Sequence, residues 1–130
     1  MKRRGENLKY VHPDLVKVID LALSYLSFDV AIIQGARTEA QHKANVISGA
    51  TRTKRSRHVR NNNKNGFACA ADMAPLSGKL ILWKRLDLFQ KMNSAMMRAS
   101  SKLGILIDWG GDWKTFKDLN HWQLSWKQYP

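Results

Sequence analysis

Cysteine is nearly absent from this chain. Cys69 stands alone among 130 residues, so no disulfide can close within it and the fold must be held by packing and hydrogen bonds. Such a chain can be made in a reducing cytoplasm. Long apolar runs are missing too: hydrophobic stretches are short and broken by charge, which excludes a membrane-spanning helix. The start Met1-Lys2-Arg3-Arg4 has the charge of a secretory leader, but Gly5-Glu6-Asn7 follows where a leader turns apolar, so no signal peptide is expected. Proline is scarce and no Pro/Gly/Ser-rich stretch reads as a linker, so one domain over residues 1–130 is the expected organisation. A chain of this length hides roughly two-thirds of its unfolded surface, enough for one core and one cleft.

Acidic residues are also few. Ten Asp and Glu stand against 22 Lys and Arg, a formal net charge of +12. That excess implies attraction to a polyanion at low salt, whether nucleic acid, anionic lipid or wall polymer, and names no activity. With 44% hydrophobic residues and five Trp, the chain is too apolar for a disordered basic tail.

The apolar residues that are present recur with period. Leu15, Val18, Ile19, Ala22 and Leu26 follow Pro13 at helical spacing and predict a helix over about 13–27. Asp29 to Gln34 reads as a short buried strand ending at Gly35. Thr38 and Gln41 have capping-box spacing, which predicts a second helix over about 38–48 that stops at Gly49. Residues 50–66 carry six cations, three consecutive Asn and no apolar period, and read as a solvated loop. Strands are expected at Ala68–Ala74 and Lys79–Trp83 around a Pro75–Gly78 turn. A longer helix through Leu88, Met92, Met96, Ala99 and Leu103 stops at Gly104. Further strands are expected at Ile105–Ile107 and His121–Leu124, with His121 and Gln123 on one face of the second and Trp122 and Leu124 on the other. The sum is an α+β domain, with helices packed on a small antiparallel or mixed sheet.

Of four histidines, His12 and His42 sit at a helix start and on a helix surface and are expected to face solvent. His58 and His121 are candidates for chemistry, with Asp72, Asp108, Asp112 and Asp118 as carboxylates. A catalytic zinc site needs neutral imidazoles, a carboxylate, an open position and a nearby base that does not ligate. Spacing alone does not say which Asp takes which part. A Ser56/His58/Asp72 triad is the weaker reading, because no Gly-x-Ser-x-Gly elbow is present. A structural zinc site would close with Cys ligands, of which there is only one candidate.

Five ordered elements carry a resemblance. Gln34-Gly35-Ala36-Arg37-Thr38, Ser56-x-His58, Gly66 leading to Ala70-x-Asp72-x-Ala74-Pro75, Trp109-Gly110-Gly111-Asp112-Trp113 and Asp118-x-x-His121 resemble the metal-site pattern of the D-Ala-D-Ala metallopeptidase superfamily. Within it the chain is most similar to tailed-phage endolysins of the L-alanyl-D-glutamate endopeptidase type, over about residues 13–124. The resemblance implies zinc in a cleft on the sheet, held by His58, Asp72 and His121, with Asp118 as general base and Arg37 stabilising the developing oxyanion. Ser56, Gln34 and Trp109 are the expected substrate contacts, although the Trp109–Trp113 segment reads first as core packing around a tight Gly-Gly turn, with one Trp lining the cleft. The family spacing between His58 and Asp72 is shorter than here, so either the loop after His58 is lengthened or the strand bulges near Ala68-Cys69.

The expected activity is hydrolysis of the stem peptide of peptidoglycan for host-cell lysis. The protein would be a monomer made in the host cytoplasm, reach the wall after the membrane is permeabilised, and neither insert stably in membrane nor need nucleic acid. The basic loop around His58 would hold it on an anionic wall or outer-membrane surface. A D-Ala-D-Ala carboxypeptidase or dipeptidase is the rival within the superfamily. A basic nucleic-acid-binding module, with residues 51–64 as its arm, is the rival outside it.

Overall fold

The computed structural model describes residues 3–4, 8–48, 56–115 and 117–130. Its elements run β1 (Arg3–Arg4), α1 (Pro13–Ser24), β2 (Asp29–Gln34), α2 (Glu39–Ser48), β3 (Ala70–Ser77), β4 (Leu80–Ile81), α3 (Leu86–Leu103), β5 (Ile107–Trp109) and β6 (His121–Leu124). The sheet is mixed, in the order β1-β2-β3-β6-β5, with β4 on the far end of β3. Among the described strands only the β1–β2 pair is parallel. Among the described residues no helix is long and apolar enough to cross a membrane.

Helices α1 and α3 pack on each other, and α3 also packs on β3 and β5. The core between them joins Leu15, Val18 and Ile19 of α1 and Phe89, Met92 and Met96 of α3 to Met73, Trp122 and Leu124 of the sheet. Strand alternation then sends Asp72 and His121 to the opposite face, where the site lies. Helix α1 ends three residues short of the expected boundary. The Tyr25 and Leu26 N–H groups bond back to Ala22 and Leu23, which tightens the last turn and closes the helix. Helix α3 stops as expected, with Gly104 in the left-handed region (φ 68°) donating to the Ser100 carbonyl. The capping box of α2 is present: Gln41 N–H donates to Thr38 Oγ1 at 3.1 Å and Thr38 N–H to Gln41 Oε1 at 3.0 Å. Gly49, its expected stop, lies outside the described residues.

Two strands shift. Strand β3 runs straight through Pro75 to Ser77, so the turn is at Gly78 (φ 60°) and not at Pro75–Gly78. Pro75 is tolerated because its carbonyl accepts from Leu82 on the β4 side, so its nitrogen also points to that side, where β6 pairing has already ended at Asp72. Strand β5 begins at Ile107, since the Ile105 N–H is used to close α3 on Ser100.

The reading of 50–66 as a solvated loop is corrected for its described part. Ser56, Arg57, His58, Val59 and Asn63 are buried, and Arg60–Asn62 form a 3-10 turn. Polar side chains take the place of apolar periodicity: Asn63 Nδ2 donates to the carbonyls of Arg57 and Phe67. Arg52, Lys54 and Arg55 lie outside the described residues. The extra residues between His58 and Asp72 are accommodated in this turn and in Gly66 (φ 76°), and β3 pairs with β6 without a bulge.

Phe89 is almost wholly buried between the helices and the sheet. Phe89→Ala should lower stability by about 3–5 kcal/mol, read from the midpoint of urea unfolding at unchanged slope.

Candidate active site

Strand register assembles the site. Asp72 on β3 pairs with His121 on β6 and with Gln34 on β2, so all three side chains share one face. The pairing with Gln34 needs a bulge at Ile33. With strict alternation Gln34 would follow Ile32 into the core; the extra residue turns it to the face of Asp72.

His58 reaches this row from the loop. Its N–H donates to Ser56 Oγ at 3.1 Å, and its carbonyl accepts from the Arg37 N–H at 2.8 Å. The ring nitrogen Nδ1 lies 2.6 Å from the Gly35 carbonyl and must donate there, which leaves the Nε2 lone pair facing Asp72 Oδ1 at 3.3 Å. His121 is set the other way round. Its Nε2 lies 2.8 Å from Gln123 Oε1; with the proton donated there, Nδ1 presents its lone pair to Asp72 Oδ1 at 3.2 Å.

Three acceptors therefore converge with no donor between them. His58, Asp72 and His121 offer ligand atoms all within 4.8 Å of one another, and His58 Nε2 is buried with no hydrogen-bond partner. Two ligand atoms each about 2.0–2.2 Å from one tetrahedral ion stand about 3.4 Å apart, close to the separations seen here. The residues fit a divalent cation. Without one, a proton takes its place. Burial disfavours a charged His121 ring, but Asp72 outweighs it and raises the ring above the ordinary imidazole range. Burial likewise opposes a charged Asp72, yet the two histidines hold its carboxyl well below the usual carboxylate range.

Asp118 stands beside this cluster on the turn into β6. Its N–H donates to the Gly110 carbonyl at 3.0 Å and its carbonyl accepts from the His121 N–H at 3.3 Å. A Cβ on Gly110 would lie 2.3 Å from the Asp118 carbonyl oxygen, so only glycine lets the turn come this close. Burial, and then the negative charge of Asp72, raise the Asp118 carboxyl above its ordinary value. Arg37 reaches back so that Nη2 and Nε donate to Gln34 Oε1 at 2.7 and 3.2 Å, within the field of Asp72 and Asp118.

Residues 1–124 match the sequence pattern of the family described as phage L-alanyl-D-glutamate peptidase. The chain belongs to this family. One member, the L-alanyl-D-glutamate peptidase of Escherichia phage T5, is 32% identical over 122 residues, covering 92% of this chain and 84% of the relative. The L-alanyl-D-glutamate peptidase of Listeria phage A118 is 35% identical over 103 residues, 78% of this chain but 32% of that longer protein. Among solved structures, the L-Ala D-Glu endopeptidase ChiX of Serratia marcescens superposes with a TM-score of 0.84 at 35% identity, covering 98% of this chain and 92% of the other.

The expected set His58, Asp72, His121, Asp118, Arg37 and Gln34 comes together on one face, whereas Asp108 and Asp112 stay exposed outside it. Two residues expected at the substrate, Ser56 and Trp109, are buried. Ser56 is 3% exposed and its hydroxyl is spent on the His58 N–H. Trp109 is 8% exposed, stacks on Trp122 at 6.0 Å and donates from Nε1 to the Leu119 carbonyl, so it supports the Asp118 turn from the core. The tryptophan against the site is Trp113, half-buried, with its ring 5.0 Å from that of His121. Nothing in the Trp-Gly-Gly-Asp-Trp spacing distinguishes the two rings. Gln123 was legible as sharing the face of His121, while the Gly35 carbonyl, a backbone group, left no side-chain signal. His12 is not a free surface residue either: it caps α1 through Nδ1 and packs edge-on against Phe67 and Tyr129. The side chain of His42 lies outside the description.

His58→Ala, Asp72→Ala and His121→Ala should each reduce divalent-metal content of the purified protein from one ion per chain, measured by elemental analysis. Retention of full stoichiometry in any of them would remove that residue from the ligand set. In metal-free protein the Asp118 carboxyl should titrate above the usual carboxylate range by carbon NMR. Adding the ion should move it down, since the ion cancels the Asp72 charge and adds its own.

Proposed function

We propose that the chain is a zinc-dependent endopeptidase that hydrolyses the L-alanyl-D-glutamate bond of peptidoglycan stem peptides in host-cell lysis. The observation that carries this reading is the pair of buried imidazole lone pairs facing Asp72, with Asp118 beside them, in a chain of this family. Zinc suits two imidazoles and one carboxylate, and when bound it would polarise the scissile carbonyl and acidify the attacking water.

The chain's own groups do the rest. Asp118, half-buried and raised in pKa, accepts a proton from the attacking water as its oxygen bonds to the carbonyl carbon, and returns it to the amine nitrogen as the C–N bond breaks. Arg37, steadied by Gln34, stabilises the oxyanion developing on the carbonyl oxygen. Trp113 lies at the edge of the site, where its ring is available to the peptide flanking the bond. The positive charge of the chain suits an anionic wall. The carboxypeptidase reading would need recognition of a terminal carboxylate, and no feature of the site selects it over the family's endopeptidase chemistry.

Asp118→Asn should keep its zinc and lose about a hundredfold or more in turnover, because it removes the proton acceptor without removing a ligand. Mass spectrometry of digested peptidoglycan should find stem peptides with a newly free N-terminal D-glutamate and intact glycan strands. Release of D-alanine alone would support the carboxypeptidase, and new reducing ends a glycosidase.

A further inference from the structure

Asp72 and His121 sit on neighbouring strands whose ladder fixes their separation, but His58 hangs from irregular chain. A metal ligand on a loop keeps its aim only if the loop is held from outside. Next to it stands Arg57, 2% exposed, although taking a guanidinium out of water is costly unless it is paired.

Its partners come from residues 126–130. The guanidinium carbon lies 3.7 Å from the centre of the Trp126 ring, and Nη2 donates to the Tyr129 carbonyl at 2.6 Å. That segment is itself fastened. Tyr129 OH donates to Asp14 at 2.8 Å, Leu106 N–H to Gln128 Oε1 at 2.8 Å and Lys64 N–H to the Pro130 carbonyl at 3.0 Å. At the backbone, the Arg57 carbonyl accepts from the Cys69 N–H at 2.8 Å, one residue before β3. Arg57 thus joins three pieces of chain at the residue preceding a ligand. Trp126 and Tyr129 lie beyond residues 1–124, the part matched by the family pattern.

We propose that the Arg57–Trp126 stack is a positioning device for the metal: it fixes the His58 loop against the sheet so that Nε2 stays aimed at the point shared with Asp72 and His121. This rests on the zinc reading above. The planar guanidinium suits the task because it stacks on the indole while donating in its own plane to a carbonyl, which an ammonium does not do.

The test is zinc affinity, by competition with a chelating dye, alongside the melting temperature of the metal-free protein. Trp126→Ala should weaken zinc binding about tenfold or more, in the range for loss of groups that orient a ligand. Trp126→Phe keeps a ring under the guanidinium and should restore most of the affinity. Arg57→Lys keeps the charge but not the fork, and should weaken binding as Trp126→Ala does; it carries the test if Trp126→Ala does not fold. Tyr129→Phe removes the bond to Asp14 but leaves the Tyr129 carbonyl and the Gln128 and Pro130 fastenings, and should bind zinc as the wild type does. Lower melting temperatures with wild-type affinity in both Trp126→Ala and Arg57→Lys would overturn the proposal and leave the stack as fold support only. Equal weakening by Tyr129→Phe would overturn the assignment to Arg57. Wild-type protein that binds no zinc would overturn the functional reading itself, and this inference with it.

Discussion

Three acceptors facing one another, two of them buried imidazoles, form an arrangement that stands only with a cation or a proton between them. Each lone pair on His58 Nε2 and His121 Nδ1 lies a little over 3 Å from the same Asp72 oxygen. In a dry site such an approach is repulsive unless a cation or a proton intervenes. The surroundings enforce it: the Gly35 carbonyl and Gln123 Oε1 each occupy the other nitrogen of one ring and so choose the tautomer that points a lone pair inward. A proton and a bound cation would compete for this place, which would link cation affinity to pH through His121.

The sheet places these groups by means that are cheap in residues. One extra residue at Ile33 turns Gln34 out of the core, and Gln34 in turn receives Arg37. Gly110 lets the Asp118 turn lie on β5, and Gly111 lets the Trp109 ring lie flat beneath it, a Cβ there falling 2.4 Å from that ring. Trp109 then donates to Leu119, next to Asp118. The Trp-Gly-Gly-Asp-Trp run thus supports the Asp118 turn, with Trp113 as the ring that reaches the site.

The basic character of the chain divides into two physical roles. Arg57 is buried and stacked, and Arg60, though exposed, lies 4.3 Å over the Tyr10 ring while its Nε donates to the Gly66 carbonyl. These cations are part of the construction of the loop. Others, such as Lys64, are exposed and contribute to the field that an anionic polymer would meet. Counting charges along the sequence treats both kinds alike, because burial of an arginine depends on aromatic and carbonyl partners far along the chain.

Local chemistry was enough to determine much of this protein. Helical periodicity marked α1 and α3, the Thr38/Gln41 box marked the start of α2, Gly104 marked the end of α3, and the alternation of β6 separated His121 and Gln123 from Trp122 and Leu124. Those signals act over a few residues and so are written in spacing. Ordered motifs also identified His58, Asp72, His121, Asp118 and Arg37 as a group. Only the tertiary structure decided the rest: that Ser56 is consumed by the His58 backbone, that Trp109 is core and Trp113 is not, that a bulge aims Gln34, and that Arg57 meets Trp126. Each depends on register or on contacts between residues tens of positions apart, and a cross-strand partner or a buried carbonyl leaves no mark in the sequence near the residue it holds.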